Sequence, residues 1–127
     1  MITFRSNCPL SRALDLIGDK WTLLVLREMV AFKRTTFKEF AEMPEEIASN
    51  ILSDRLRKLV EEGFVLKTKS EINRRVYHYI PTDKATNLLP AVLHLRQWSE
   101  SYLFGPNEIP TPIGLGMPGN PPTGSLN

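Results

Sequence analysis

Apolar residues recur at helical spacing through much of the chain. Leu10, Ala13, Leu14 and Ile17 form one stripe three and four residues apart, which predicts a first amphipathic helix. Residues 21–30 are apolar on nearly every side of a helix, so we expect this second helix to lie at the centre of the core. The pattern therefore begins with two consecutive helices.

Two further helices are predicted around a tight turn, Met-Pro-Glu-Glu, at residues 43–46. Thr36 and Glu39 match a capping box, in which each side chain satisfies a free backbone N–H near the other residue. The next helix is expected over residues 48–62, since Gly63 is a favourable residue just past a helix end. Its predicted core stripe consists of Ala48, Leu52, Leu56, Leu59 and Val60.

Strand-like composition follows at residues 64–69 and 76–80, joined by a tip that reads Glu-Ile-Asn-Arg-Arg. A last helical stretch ends near residue 103, and Pro90 is expected to kink it or divide it in two. The order of helix, turn, helix and hairpin predicts a mainly α fold with a small β-hairpin (α+β), a winged helix-turn-helix. In that fold one helix enters a DNA major groove and the hairpin lies beside it.

The chain is predicted to form one domain over residues 1–104, with dimerisation helices at both its ends. Residues 105–127 hold five of the seven glycines and six of the ten prolines. Such a stretch sustains no helix and buries little surface, so it is predicted to be a mobile or extended tail. It is either a passive terminal extension or an interaction arm.

Composition narrows the class of protein. The chain has 127 residues, a net charge of +2 and one cysteine, so no disulfide can form within a monomer. Lysine and arginine outnumber acidic residues between Arg55 and Arg75, and no basic residue follows Arg96. No apolar run is long enough to span a membrane and no signal peptide is evident, so a cytoplasmic protein without a membrane partner is predicted.

The candidate DNA-reading surface is the polar face of the helix at 48–62. Its short side chains allow close approach to bases: Asn50 suits adenine, and Asp54 can accept from cytosine. A solvated helix face would have the same composition, but the basic tip at Arg74 and Arg75 favours DNA. The residues predicted to contact DNA are Thr36, Lys38, Ser49, Asn50, Ser53, Asp54, Arg55, Arg57, Lys69, Arg74 and Arg75.

The terminal helices carry more apolar residues than a small domain needs on its outside, which favours a homodimer. Its predicted interface consists of Leu10, Leu88, Val92, Leu95, Trp98 and Tyr102.

Cys8 is the candidate regulatory residue. It precedes a helix, where the positive end of the helix dipole stabilises a thiolate, and Arg12 lies four residues on. The alternative is a small buried apolar residue.

Enzymatic and metal chemistry are not expected. His78 and His94 lack companions at metal-ligand spacing, and there is no phosphate loop, nucleophile elbow or triad. A thiol redox enzyme built on Cys8 is disfavoured because no resolving cysteine is present. We therefore predict no cofactor and no metal.

Several segments together resemble the HxlR family of bacterial winged-helix regulators, relatives in fold of the MarR regulators. They are Cys8-Pro9-Leu10, the run Ile17-Gly18-Asp19-Lys20-Trp21 with its apolar continuation to Arg27, the segment 36–40, and residues 47–65. The family usually has Gly-Gly before Lys-Trp, where this chain has Gly18-Asp19, and often a serine where Ala48 stands.

The resemblance implies a homodimer on double-stranded DNA with a dyad operator. It also makes Cys8 the counterpart of an N-terminal cysteine that senses oxidants, quinones or aldehydes in several members. The sequence thus predicts a homodimeric DNA-binding transcription regulator responsive to a small oxidant or electrophile. The alternative is a winged helix that serves as a protein-interaction module.

Overall fold

Residues 2–113 are described by a computed structural model, and over this range six helices accompany one two-stranded hairpin. In chain order the elements are α1 (Pro9–Ile17), α2 (Thr22–Val30), α3 (Phe37–Ala41), α4 (Ser49–Glu61), β1 (Val65–Lys69), β2 (Tyr77–Pro81), α5 (Asp83–Thr86) and α6 (Leu89–Tyr102). The order α3, turn, α4, hairpin is that of a winged helix-turn-helix, so the predicted fold class is confirmed.

The core forms around α2, as its apolar character predicts. Val25, Leu26 and Met29 of α2 are buried, together with Phe40 of α3 and Leu52 of α4. Each side chain of this kind contributes roughly 1.5–3 kcal/mol when removed from water. This packing fixes the helix-turn-helix on the rest of the domain.

Two members of the predicted α4 stripe lie outside the core. Ala48 is exposed because it precedes the first turn of the helix as its N-cap. Val60 is 36% exposed and borders a crevice with Phe37 and Lys67. The predicted stripe was therefore too wide, and the buried one is made by Leu52, Leu56 and Leu59.

Two predicted signals at helix ends, the capping box at Thr36 and the glycine after α4, are confirmed. The Thr36 hydroxyl accepts from the backbone N–H of Glu39, whose carboxylate accepts in return from the Thr36 N–H at 3.1 Å. A carboxylate oxygen of Asp19 accepts from the backbone N–H groups of Trp21 and Thr22, at the point where α2 begins. Gly63, just past α4, has φ of +80°, a conformation that favours glycine.

The hairpin is attached to the loop before α3. β1 and β2 pair antiparallel, with Lys67 opposite Tyr79. The Tyr79 N–H donates to the Thr35 carbonyl at 2.7 Å, and the Thr35 hydroxyl lies 2.8 Å from Nδ1 of His78. These bonds hold the hairpin at a defined position beside the helix-turn-helix.

The predicted division at Pro90 is also observed, because α5 ends at Thr86 and Pro90 lies in the first turn of α6. The chain then turns back, and residues 109–113 lie against α2 and α6. Ile113 is only 8% exposed, so this part of the predicted tail is packed, where composition had suggested little burial. The rest of that tail, from residue 114, lies outside the described residues.

Candidate nucleic-acid interface

The turn between α3 and α4 is held from α2 by one arginine. Arg27 donates from Nη1 to Glu45 Oε2 at 2.9 Å and from Nη2 to Glu45 Oε1 at 2.7 Å. Glu46, the next residue, has φ of +60°, an uncommon value for a residue with a side chain. The fork from Arg27 therefore ties the turn that sets the direction of α4 to the helix at the centre of the core.

The first half of α4 presents short polar side chains to solvent. Ser49, Asn50 and Ser53 are exposed, and within residues 2–113 their side chains make no hydrogen bond. Their donors and acceptors are thus available to an incoming group such as a base edge. The structure places these three residues where the sequence predicted a reading surface.

The second half of α4 carries a network of ion pairs on its surface. Arg57 donates to Asp54 at 2.7 Å and to Glu61 at 3.0 Å, and Lys58 lies 3.4 Å from Asp54. These pairs follow the three- and four-residue spacing of neighbours on a helix surface. Asp54 is consequently an acceptor already surrounded by cations, and its pKa lies below the usual range because Arg57 donates to it.

Arg55 points the other way, towards the start of α2. Its Nε donates to Asp19 at 2.8 Å and its Nη1 donates to Asp54 at 2.7 Å, and its side chain is 21% exposed. Partial burial raises the pKa of Asp19, but hydrogen bonds from Arg55 and Thr22 outweigh it and lower the pKa to about 2. Arg55, predicted to contact DNA, thus connects α4 to Asp19, in the turn that precedes α2.

The two predicted contacts at α3 differ from each other. The Thr36 hydroxyl is hydrogen-bonded to Glu39 in the capping box, whereas Lys38 is exposed on the helix surface. Only Lys38 has a side-chain terminus open to a phosphate in this conformation.

The hairpin tip carries unpaired cations. Arg74 and Arg75 are exposed, and neither guanidinium has a hydrogen bond or ion pair within the described residues. On the strands, the ammonium groups of Lys67 and Lys69 lie 4.4 and 5.8 Å from the centre of the Tyr77 ring. Cation–π contacts at exposed sites are weak, so all four cations remain able to meet an anion.

The polar face of α4 and the hairpin adjoin each other. A crevice of about 300 Å³ separates them, with Ser53, Arg57 and Glu61 on one side and Lys67 and Tyr79 on the other. The two surfaces that the sequence singled out therefore border one continuous region.

Cys8 is exposed and stands at the N-cap position of α1. The alternative of a buried apolar residue is therefore wrong. Arg12, the cation expected beside it, donates to the carbonyl of Ser6 and the side chain of Asn7, and its guanidinium lies 4.7 Å above the Phe4 ring. Arg12 fastens the segment that leads into α1.

The residues predicted for the dimer interface divide into two groups. Leu10, Leu95, Trp98 and Tyr102 are between 55% and 72% exposed. Leu88 is partly buried against the core, and Val92 borders a cavity with residues from α2. Four of the six thus form exposed apolar surface on α1 and α6.

Sequence reasoning missed a charged cluster behind the helix-turn-helix. Glu28, within apolar α2, is 1% exposed; Arg27 donates to its Oε2, and Arg34 lies 3.7 Å from its Oε1. Burial raises the pKa of Glu28, which Arg27 and Arg34 only partly offset. The signal available in sequence was adjacent opposite charges inside a helix otherwise apolar all round.

Between residues 2 and 113, no group of three His, Cys, Asp or Glu side chains is arranged to hold a metal ion. None of the helices described in that range is both long and apolar enough to cross a bilayer.

Comparison with known proteins gives consistent matches. The family model for the HxlR-like helix-turn-helix matches residues 16–106. The HTH-type transcriptional regulator YdeP of Bacillus subtilis (strain 168) is 31% identical over 103 residues, which cover 76% of this chain and 74% of YdeP.

Two solved structures are similar over most of the chain. PA1607 is 40% identical with a TM-score of 0.74, and the match covers 84% of this chain and 72% of PA1607. The redox regulator HypR in its oxidized form is 28% identical with a TM-score of 0.66, covering 77% of this chain and 100% of HypR.

Proposed function

Because this chain belongs to the HxlR-like helix-turn-helix family, it is a transcriptional regulator of the helix-turn-helix type, and we propose that it binds DNA sequence-specifically as a homodimer. In this proposal α4 enters the major groove of each half of a dyad operator. The hairpin lies against the flanking backbone or minor groove.

The observation that carries the proposal is the continuity of two surfaces. Ser53 borders the crevice that has Lys67 and Tyr79 of the hairpin on its other side, and Ser49 and Asn50 are exposed nearer the start of the same helix. The hairpin tip presents Arg74 and Arg75 without partners in the described range. Hydrogen-bonding groups for base edges and cations for phosphates are the two components of a DNA interface.

A binding-site selection with random duplexes tests sequence recognition. We expect a dyad motif whose half-sites lie about one DNA turn apart. Asn50→Ala should cost roughly 1–3 kcal/mol on that motif if Asn50 contacts a base, and should leave affinity for random DNA unchanged. Selection of no motif, or an unchanged motif affinity in this variant, would count against α4 as the reading helix.

The homodimer is proposed from the exposed apolar side chains on α1 and α6. Leu95, Trp98 and Tyr102 follow one another at helical spacing on α6, and a second copy of the chain would remove them from water. Sedimentation should give a dimer at micromolar concentration, whereas Trp98→Asp should shift the protein to monomer. A monomeric wild-type protein, both free and on DNA, would contradict the proposal.

We further propose that Cys8 responds to an oxidant or electrophile. The thiol is exposed at the start of α1, two residues before the exposed Leu10, and the structurally similar HypR is a redox regulator. A modification there would alter the proposed dimer surface and thereby the spacing of the two α4 helices. Diamide should release operator DNA from the wild type and not from Cys8→Ser. Equal responses would remove Cys8 from the mechanism.

A further inference from the structure

The loop that joins β1 to β2, residues 70–76, holds a bulky apolar side chain in open solvent. Ile72 is 98% exposed, so within the described part of the chain almost none of its surface is covered. A single exposed apolar residue is ordinary on a protein surface. Ile72 differs from such a residue because it lies at the end of a cationic hairpin, two residues before Arg74 and Arg75.

This loop is fixed by hydrogen bonds between its own residues. The Ser70 N–H donates to the Val76 carbonyl at 2.8 Å and closes the loop. The Ser70 hydroxyl oxygen accepts from the N–H groups of Ile72 and Asn73, each at 3.2 Å. Asn73 Oδ1 accepts from the Arg75 N–H at 3.1 Å, and the Val76 N–H donates to the Asn73 carbonyl at 2.9 Å. A loop ordered in this way loses little conformational freedom on binding, so Ile72 is presented in a defined position.

The charge around Ile72 favours a polyanion as the occupant of this surface. The hairpin, residues 65–81, carries four lysines and arginines and one carboxylate, that of Glu71. None of the four cations forms an ion pair within residues 2–113. An apolar groove of another protein would leave these cations without counter-charges, whereas a DNA minor groove has phosphates along both of its sides. The minor groove therefore matches the charge of the hairpin.

An apolar side chain beside arginines can act in the minor groove as a wedge. Isoleucine is among the residues that minor-groove proteins insert between base pairs, which unstacks one base step and kinks the duplex. The free energy gained by burying an isoleucine side chain is of the same order as the cost of unstacking one step. Insertion is therefore favourable at pyrimidine–purine steps, which unstack readily, and unfavourable at stiff A-tract steps.

We propose that Ile72 is a specificity-determining residue that enters the minor groove beside each half-site, unstacks one pyrimidine–purine step and bends the DNA. The inference rests on the proposed function, since it requires DNA bound with the hairpin against the minor groove. Arg74 and Arg75 hold the hairpin on the phosphates, and Ile72 selects for a step that deforms easily. This selection needs no hydrogen bond to a base edge.

Fluorescence of 2-aminopurine tests the unstacking, because this base fluoresces more strongly when it leaves the stack. The full chain is bound to a selected operator duplex in which 2-aminopurine replaces one adenine at a time beside each half-site. We expect the wild type to raise the fluorescence at least about twofold at one step per half-site, and Ile72→Ala to remove most of this rise. Ile72→Met should retain it, because methionine also serves as a wedge.

Ile109→Ala is the matched control for the loss of an exposed isoleucine. Ile109 is 90% exposed and lies outside the hairpin, so this variant should give the same fluorescence rise as the wild type. Both alanine variants should keep the wild-type melting temperature, since both side chains are almost fully in water.

Exchange of the flanking pyrimidine–purine step for an A-tract step tests the specificity. It should weaken wild-type binding by about tenfold and Ile72→Ala binding by no more than about threefold. DNA binding without a fluorescence rise, an equal rise in Ile72→Ala, or equal effects of the exchange on the two proteins would overturn the wedge and leave the proposed function intact. A role of Ile72 in contacting another protein would give that result. A wild type that binds no DNA would instead contradict the proposed function together with the wedge.

Discussion

The arginines of α4 and those of the hairpin tip carry the same guanidinium group, but they differ in whether a carboxylate already pairs with it. Arg55 and Arg57 each contact two carboxylates, whereas Arg74 and Arg75 contact none in the described part of the chain. A cation already paired must give up its partner to bind a phosphate, so its net gain is small. The hairpin arginines lose only water, and they are therefore the stronger candidates for phosphate contacts.

Paired and unpaired arginines should also contribute to different properties, the first to stability of the fold and the second to DNA binding. Arg55 is partly buried and joins α4 to Asp19, in the turn before α2 and distant in sequence, so its loss leaves a partly desolvated carboxylate without this partner. Arg57 is 55% exposed, and its pairs lie within one helix. Substitution of Arg55 should therefore change the free energy of unfolding, whereas substitution of Arg74 and Arg75 should change DNA affinity.

The largest effect is expected at the hairpin tip. Replacing Arg74 and Arg75 together with alanine should lower DNA affinity by at least about a hundredfold, since charged hydrogen bonds contribute roughly 1.5–3 kcal/mol each. The melting temperature should not change, because neither side chain has a partner within residues 2–113. Fluorescence anisotropy with an operator duplex and a thermal melt provide both readings. A fall in melting temperature of several degrees would contradict the assignment.

The next effect concerns α4. Arg55→Ala should reduce the free energy of unfolding by about 1–2 kcal/mol, because Asp19 loses a partly buried partner. Arg57→Ala, the matched control, should change the free energy of unfolding much less, because its ion pairs are exposed to solvent. Urea denaturation measures both. Equal losses of unfolding free energy in the two variants would show that the contact with Asp19 stabilises the fold no more than the exposed pairs of Arg57 do.

The smallest effect is the pH dependence of that same contact. The pKa of Asp19 falls from 3.8 to about 2 on folding, so its contribution to stability is present above about pH 4 and is lost as pH falls towards 2. The shift corresponds to at most about 2.5 kcal/mol, and partial exposure screens it to about 1 kcal/mol.

Wild type and Asp19→Asn should therefore differ by about 1 kcal/mol at pH 6 and by about half as much at pH 3. Unfolding by urea at the two pH values measures this difference. A gap that stays constant between pH 6 and pH 3 would mean that the charge of Asp19 contributes nothing.

Local signals in the sequence were sufficient for much of the fold. The capping box at Thr36, the glycine after α4 and the proline at the start of α6 act within a few residues, and each was predicted correctly. Burial of Ile113 was not predictable in this way, because it depends on a return of the chain against helices far away in sequence.

The candidate site shows the same division between features set by local sequence and contacts between distant segments. The positions of Asn50 and Arg74 follow from helix period and hairpin order, which sequence reveals. The pairing of Arg55 with Asp19, and of Arg27 with Glu45, spans 36 and 18 residues and depends on how helices pack. Sequence thus located the cations but could not tell which of them were already neutralised.

The salt dependence of DNA binding tests the central claim most directly. The logarithm of the association constant should fall linearly with the logarithm of salt concentration, with a slope of about −0.9 per phosphate contact. Replacing Arg74 and Arg75 should flatten the slope by about 1.8 for one hairpin and about 3.6 for the two hairpins of a dimer, whereas Arg57→Ala should change it by less than about one. An unchanged slope in the hairpin variant, or an equal flattening in Arg57→Ala, would contradict the assignment of the phosphate contacts to the hairpin.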